Sequence, residues 1–187
     1  MRYVGIDPST KTGFVALSGA GEVLRAKELT GIGDKDPKRI TTLVQEVVQH
    51  IKPGDVIGIE GFSYNSQGRG IGFQFGLGYA IRIAMYSRNH SYTEITPGQL
   101  KKFATGSGNT AKAEMPGPIA ENWGYSHPSD NVLDAYVLAR IMFSIRNREQ
   151  LTFSLTDYQK EVIDMIINPA AAKKPKAKRK AKRGDKR

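Results

Sequence analysis

Three acidic residues lie where a buried carboxylate could take part in chemistry. Asp7 ends a short apolar segment just before a Pro-Ser-Thr turn, Glu60 ends a second apolar segment, and Asp134 lies within an apolar helical pattern. Burying an unpaired charge is costly, so each carboxylate needs a cation or hydrogen-bond donors. Taken singly, Asp7 could cap its own turn, Glu60 could face solvent, and Asp134 could pair with a nearby basic residue.

Together, the three acids predict a metal site. Adjacent strands of one sheet would place Asp7 and Glu60 side by side, and a helix packed on that sheet could add Asp134. Three carboxylates repel one another at neutral pH unless a divalent cation lies among them. Oxygen ligands in a chain without cysteine favour Mg²⁺ or Mn²⁺. Two such ions about 3.5–4 Å apart could activate a water and stabilise the leaving oxygen in phosphodiester hydrolysis.

Apolar segments and turn residues predict the elements that must hold these acids. Strands are expected over residues 2–8, 13–18, 22–29, 56–59 and 92–95. Helices are expected from Asp36, the predicted cap, to Ile51, then over 71–85, 97–103, 130–146 and after Thr156, with a loop at 105–118. This order, with its strand–helix–strand crossover, indicates an α/β fold in which helices flank a mixed five-stranded sheet.

The segment 71–85 is apolar on nearly all sides yet contains Gly72, Gly76 and Gly78. Each glycine weakens an isolated helix by about 1 kcal/mol. A helix that keeps several glycines is expected to press against another backbone, either the sheet or a second copy of the chain. We therefore predict a homodimer built largely on this segment.

The net charge of +10 is concentrated at the C-terminal end of the chain. Residues 173–187 contain ten Lys or Arg against one Asp, which leaves the rest of the chain nearly neutral. We predict a folded domain over 1–168 and a disordered basic tail over 169–187. Such a tail attracts nucleic acid phosphates, although a solubility or targeting extension is the alternative interpretation.

Composition excludes several classes of site and protein. Without cysteine there are no disulfides and no thiolate metal sites, so a metal would need oxygen ligands or one of the three histidines. No segment has the ~18 apolar residues of a membrane span, and the N-terminus lacks an apolar signal region. The expected location is the cytoplasm of a bacterial or phage-infected cell, with no membrane partner.

Four segments carry a resemblance to a known family. They are Gly5–Ser9, Ile59–Gly61, Lys101–Asn109 and Asp130–Ala139. In this order, over residues 2–145, the chain resembles the RuvC-type Holliday junction resolvases, in particular the short versions carried by bacteriophages. Each motif alone is weakly specific, and the combination is specific.

The resemblance implies an RNase H-like fold and a homodimer that makes paired, Mg²⁺-dependent nicks in four-way DNA junctions. It implies that Asp7, Glu60 and Asp134 bind two Mg²⁺ ions per site, for which Mn²⁺ is expected to substitute. It also implies that Lys112, in the loop before the last core helix, acts near the scissile phosphate.

The chain departs from the family pattern at the fourth metal ligand. Three residues before Asp134, where cellular resolvases have Asp, this chain has Asn131, and Asp130 lies one residue further back. Either side chain is a candidate ligand. The lysine loop also differs, because the prolines and glycine of segment 115–118 follow Lys112 where the family continues into a helix.

Two polar loops are expected to contact nucleic acid. The first is the glycine-rich segment 63–70 directly after Glu60, and the second surrounds the loop at 105–118. The predicted contacts to branched DNA are Ser66, Gln67, Arg69, Lys101, Lys102, Asn109 and Lys112.

Other functions remain open at this point. A nuclease that cuts flaps, forks or RNA could use the same carboxylates. A sugar- or acetate-kinase-like ATPase shares the sheet and the early Asp, but it would need a second phosphate loop and an adenosine site, usually in a chain about twice as long. A non-catalytic nucleic-acid-binding protein is disfavoured because Asp7, Glu60 and Asp134 are all present.

Overall fold

One mixed sheet of five strands organises the molecule, in the order β3-β2-β1-β4-β5. The strands are β1 (Tyr3–Asp7), β2 (Thr12–Leu17), β3 (Val23–Leu29), β4 (Val56–Glu60) and β5 (Tyr92–Ile95). The first three pair antiparallel, whereas β1, β4 and β5 run parallel. The computed structural model describes residues 1–62, 70–149 and 155–170. The predicted mixed five-stranded sheet is confirmed.

Helices cover both faces of this sheet. They are α1 (Lys38–His50), α2 (Ile71–Tyr86), α3 (Pro97–Thr105), α4 (Pro116–Trp123), α5 (Asp130–Asn147) and α6 (Asp157–Ile167), with one 3-10 turn at Lys112–Glu114. Each face of the sheet has its own hydrophobic core, because successive side chains of a strand point to opposite faces. Val4 and Ile6 of β1 pack with α1 and α2, while Tyr3 packs with α5. None of the described helices is long and apolar enough to cross a membrane.

Glycines in β1 and β2 let the backbone of α5 lie directly on the sheet. A Cβ atom at Gly5 would be 1.9 Å from the carbonyl oxygen of Ala135, and one at Gly13 would be 1.8 Å from that of Asn131. Only glycine fits such an approach. The first turns of α5 are thereby fixed beside the carboxyl end of β1.

Two local predictions differ from the structure. Asp36 does not cap α1, since the helix begins at Lys38 with Pro37 at its cap position, and the Asp36 carboxylate instead pairs with Arg39 at 3.1 Å. The expected loop at 105–118 contains the 3-10 turn and the start of α4. Proline suits the first turn of a helix, where its missing N–H is not needed, so Pro116 begins α4 rather than preventing it.

Candidate active site

A pocket of about 360 Å³ lies at the carboxyl ends of β1 and β4. Asp7, Glu60 and Asp134 all line it, together with Lys112 and Asn131. The structure therefore brings the three predicted acids and the predicted lysine to one place.

The parallel pairing of β1 with β4 brings Asp7 and Glu60 together. Ile6 is the register partner of Ile59, so the two acids follow side by side at the ends of their strands. The turn after β1 is held by Thr12, whose hydroxyl donates to the carbonyl of Ser9 at 2.8 Å. Asp7 is only 5% exposed, and it faces the pocket rather than solvent.

The carboxyl groups of Asp7 and Glu60 lie close enough for each to affect the pKa of the other. Burial raises the pKa of Asp7, and burial together with the charge of Asp7 raises the pKa of Glu60 well above its usual range. This buried pair therefore holds a proton more readily than isolated acids would.

Asp134 reaches the same pocket from the first turns of α5. Burial, and then the nearby charge of Asp7, raises the pKa of Asp134 to about 7. Its Oδ2 lies 3.7 Å from the Nζ of Lys112. The positive charge of Lys112 acts in the opposite direction and lowers the pKa of all three acids.

The carboxyl oxygens of these three acids are chemically suited to a divalent cation, although their positions do not form a coordination shell. Three mostly buried carboxyls with raised pKa values are unfavourable as anions, and a cation among them would relieve that repulsion. However, in the part of the chain that the structure describes, no group of three His, Asp or Glu side chains is placed to hold one ion. Binding of a cation would require these carboxyls to lose their protons.

The two candidates for a fourth ligand are separated by the structure. Asn131 lines the pocket, whereas Asp130 is exposed and is not among the lining residues. The charge of Asp130 makes a lesser contribution to the raised pKa of Asp134.

The residues predicted to contact nucleic acid differ in their position relative to the pocket. Lys101 lines the pocket, and Asn109 is exposed in the loop after α3. Lys102 forms an ion pair with Glu161 of α6 at 2.6 Å, which connects α3 to α6. Ser66, Gln67 and Arg69 lie outside the described residues.

Arg82 of α2 supports the site and is missed by the sequence reasoning. Its buried guanidinium donates to the carbonyl oxygens of Glu60 and Gly78, both at 3.0 Å, and to Glu94 at 2.6 Å. It also lies over the ring of Phe62, 4.3 Å from the centroid. The sequence does mark Arg82 as the one charged residue in segment 71–86, which is otherwise almost entirely apolar.

Comparisons with known proteins bear on the fold. No protein-family model and no curated protein matches the sequence. Among solved structures, the chain is similar to Thermus thermophilus RuvC, with a TM-score of 0.58 and 22% identity over 78% of this chain and 96% of that one. It is also similar to T. thermophilus RuvC in complex with Holliday junction substrate, with a TM-score of 0.59 and 19% identity over 76% and 92% of the two chains. These similarities confirm the predicted RNase H-like fold.

Proposed function

We propose that this chain is a metal-dependent endonuclease that cuts four-way DNA junctions by paired nicking as a homodimer, and so acts in DNA recombination. The observation that carries the proposal is the convergence of Asp7, Glu60 and Asp134 in one pocket. The fold around them is shared with RuvC, one of whose structures holds a Holliday junction substrate.

Asp7, Glu60 and Asp134 would hold two Mg²⁺ ions, or Mn²⁺ in their place. Bound there, the ions would supply an activated water and stabilise the leaving oxygen of a phosphodiester. The chain's own residues do the positioning. Asp7 and Glu60 are carried by adjacent strands, Asp134 by the helix packed on them, and the Lys112 ammonium faces the same pocket from the exposed side.

Basic residues around the pocket suit a phosphate backbone. Lys101 and Lys112 line its mouth, and the exposed Asn109 lies on the loop between them. Contacts from such side chains provide affinity without reading sequence, so preference for a junction would come from the spacing of two active sites.

The proposed dimer uses one face of α2, which we call the α2 stripe. Tyr79, Ile83 and Tyr86 are 52%, 63% and 81% exposed and recur at helical spacing. Gly72 and Gly76 extend the same row, and a Cβ atom at either would have nothing within 4 Å. Gly78 differs, since its Cβ atom would be 2.5 Å from the Phe62 ring. A row of glycines continued by bulky apolar side chains is complementary to an antiparallel copy of itself.

The test is cleavage of a labelled four-way junction beside linear duplex, flap, fork and RNA–DNA hybrid substrates, with Mg²⁺, with Mn²⁺ and with a chelator. We expect symmetric cuts in the junction alone, dependent on the metal. Cleavage mainly of flaps, forks or RNA would assign the same carboxylates to a different nuclease. ATP hydrolysis without cleavage of any nucleic acid would point to the kinase-like alternative.

A further inference from the structure

Asn131 lies between one hydrogen-bond acceptor and one hydrogen-bond donor, which bind opposite ends of its amide group. Its Nδ2 donates a hydrogen bond to the carbonyl oxygen of Lys11 at 2.8 Å. Its Oδ1 accepts from the Nζ of Lys112 at 3.4 Å. A carbonyl can only accept and an ammonium can only donate, so both partners select the same orientation of the amide.

We propose that Asn131 is a positioning residue that holds Lys112 over the active site, rather than a metal ligand, an inference that rests on the proposed nuclease function. The Lys11 carbonyl occupies the Nδ2 end of the amide, which leaves Oδ1 directed at Lys112. An aspartate at this position would place a carboxylate oxygen against the Lys11 carbonyl, an unfavourable contact between two acceptors.

The backbone on both sides of Asn131 is held in place. Gly13 packs against its carbonyl group, where a Cβ atom would be only 1.8 Å away. Glu28 connects the turn after β1 to the start of α5, the same two segments that Asn131 bridges. Its carboxylate pairs with the Lys11 Nζ at 3.4 Å and accepts a hydrogen bond from the Ser129 hydroxyl. Asn131 is therefore a rigid support.

Lys112 needs such a support. It begins a single 3-10 turn in the segment between α3 and α4, and its side chain is 52% exposed. A lysine side chain has rotamer entropy of about 2 kcal/mol, so an unsupported one would spread over many positions. Asn131 and Asp134 lie three residues apart on the same face of α5, and their oxygens localise the ammonium between them.

A neutral amide has an advantage over an acid in this place. The pocket already contains three mostly buried carboxyls that repel one another. An amide oxygen orients the ammonium without adding a fourth charge to this group. The positive charge of Lys112 then stays available for a phosphate of the substrate.

A double-mutant cycle tests this role. We would measure single-turnover junction cleavage at saturating Mg²⁺, and Mn²⁺ affinity by calorimetry, for the wild type, Asn131→Ala, Lys112→Met and the double variant. We expect Asn131→Ala to slow cleavage by about 10–100-fold, as loss of a group that positions a functional side chain does. We expect no further loss when Lys112 is already Met, and a Mn²⁺ Kd within about twofold of the wild type in Asn131→Ala.

Gln49→Ala is the matched control, because it removes an exposed amide from α1 on the other face of the sheet. It should leave both measurements unchanged. An additional loss in the Lys112→Met background, a Mn²⁺ Kd raised about tenfold by Asn131→Ala, or a wild-type cleavage rate in that variant would each overturn the proposed role.

The isosteric change Asn131→Asp provides a second variant that keeps the shape of the side chain. A positioning role predicts slower cleavage, because the carboxylate is repelled by the Lys11 carbonyl and neutralises Lys112. A role as metal ligand predicts tighter Mn²⁺ binding with an equal or faster cleavage rate. That result would contradict the positioning role.

A readout that does not depend on cleavage separates this inference from the proposed function. Relaxation of ¹³C at the Cε of Lys112, assigned by loss of its signal in Lys112→Met, reports side-chain mobility in the DNA-free protein. We expect greater mobility in Asn131→Ala than in the wild type. Unchanged mobility would refute the positioning role. Changed mobility in a protein that cuts no junction would refute only the nuclease function.

Discussion

At the scale of single residues, the three acids of the pocket are held in different ways. Asp7 and Glu60 lie at the ends of two paired strands, and Asp134 lies next to Lys112. Asp7 has the most rigid setting, since it ends a central strand and is only 5% exposed. Asp7 and Asp134 are therefore tested by separate predictions.

The substitution Asp7→Asn should abolish cleavage while sparing DNA binding. The amide keeps the shape of the side chain but removes the charge that would hold the cations, so the cleavage rate should fall by several orders of magnitude. Affinity depends on lysine and arginine contacts to phosphates, so junction binding should persist or become tighter. Single-turnover cleavage and a gel-shift titration would measure the two effects. Full cleavage by the pure variant in Mg²⁺ would eliminate the metal-nuclease proposal.

The raised pKa of Asp134 predicts how the stability of the metal-free protein depends on pH. A carboxyl whose pKa rises from 3.8 to about 7 on folding stabilises the folded state while it is protonated. That contribution is complete below about pH 4 and is lost as the pH rises through 7. In chelator, Asp134→Asn should therefore melt at a higher temperature than the wild type at pH 8, and by a smaller margin at pH 5. Each kcal/mol corresponds to about 2–4 °C in a chain of this size.

Mg²⁺ provides the control for this experiment. At pH 8 it should raise the melting temperature of the wild type more than that of Asp134→Asn, because it binds the ionised carboxylates. Equal melting temperatures of the two proteins in chelator at pH 8 would contradict the assignment.

The sequence predicts the three acids because two of them end apolar strands, and the end of a buried strand is a recognisable position. It does not separate Asp130 from Asn131, because neighbouring helix residues point about 100° apart and the helix rotation depends on tertiary packing. In the structure, Asn131 lines the pocket and Asp130 is exposed. Arg82 is missed because its partners are mainly backbone carbonyls, which no sequence pattern marks.

At the scale of elements, the close contact of α5 with β1 and β2 fixes the geometry of the site. Gly13→Ala should destabilise the protein because its Cβ atom would meet the Asn131 carbonyl at 1.8 Å. Overpacking against backbone of this kind costs about 1–3 kcal/mol or more. Denaturant unfolding would measure the loss. Gly19→Ala is the matched control, since its nearest neighbour atom is 3.7 Å away, and an equal effect at both sites would disprove the packing argument.

Most elements follow from the sequence, and the exceptions have local causes. The apolar strands, the α1 periodicity and the apolar α5 predict the sheet and the helices on it. The Thr156–Gln159 pattern also predicts the start of α6, where the Gln159 side chain accepts from the Thr156 N–H at 3.1 Å. The helix α4 is not predicted, because Pro116, Gly117 and Pro118 are typical of a loop. In the structure both prolines lie in the first turn of α4.

At the scale of the whole molecule, the α2 stripe predicts the oligomeric state. The substitution Ile83→Arg puts a charge in the middle of the exposed apolar row, and desolvating that charge would oppose pairing. We expect a wild-type dimer and an Ile83→Arg monomer at micromolar concentration by sedimentation, with unpaired nicks in place of symmetric cuts. Gln45→Arg, an exposed change on α1, should remain dimeric. A monomeric wild type, with and without junction DNA, would remove the proposed interface.

The basic tail makes a separate prediction about binding to DNA. Removal of residues 173–187, which lie outside the described residues, takes away ten Lys or Arg. Each phosphate contact contributes about −0.9 to the slope of log K against log salt. The truncated protein should bind more weakly and with a shallower salt dependence, while its affinity for Mn²⁺ stays the same. An unchanged slope would show that the tail serves another purpose.

The position of α5 late in the chain also has a consequence for how the protein is made. During translation, Asp7 and Glu60 leave the ribosome long before Asp134, and one face of the sheet lacks its main cover until α5 packs against Gly5 and Gly13. A nascent chain thus carries two of the three acids and cannot assemble the pocket. On the proposed function, a partly synthesised chain would not be an active nuclease, since α5 both packs on this face of the sheet and brings Asp134 to the active site.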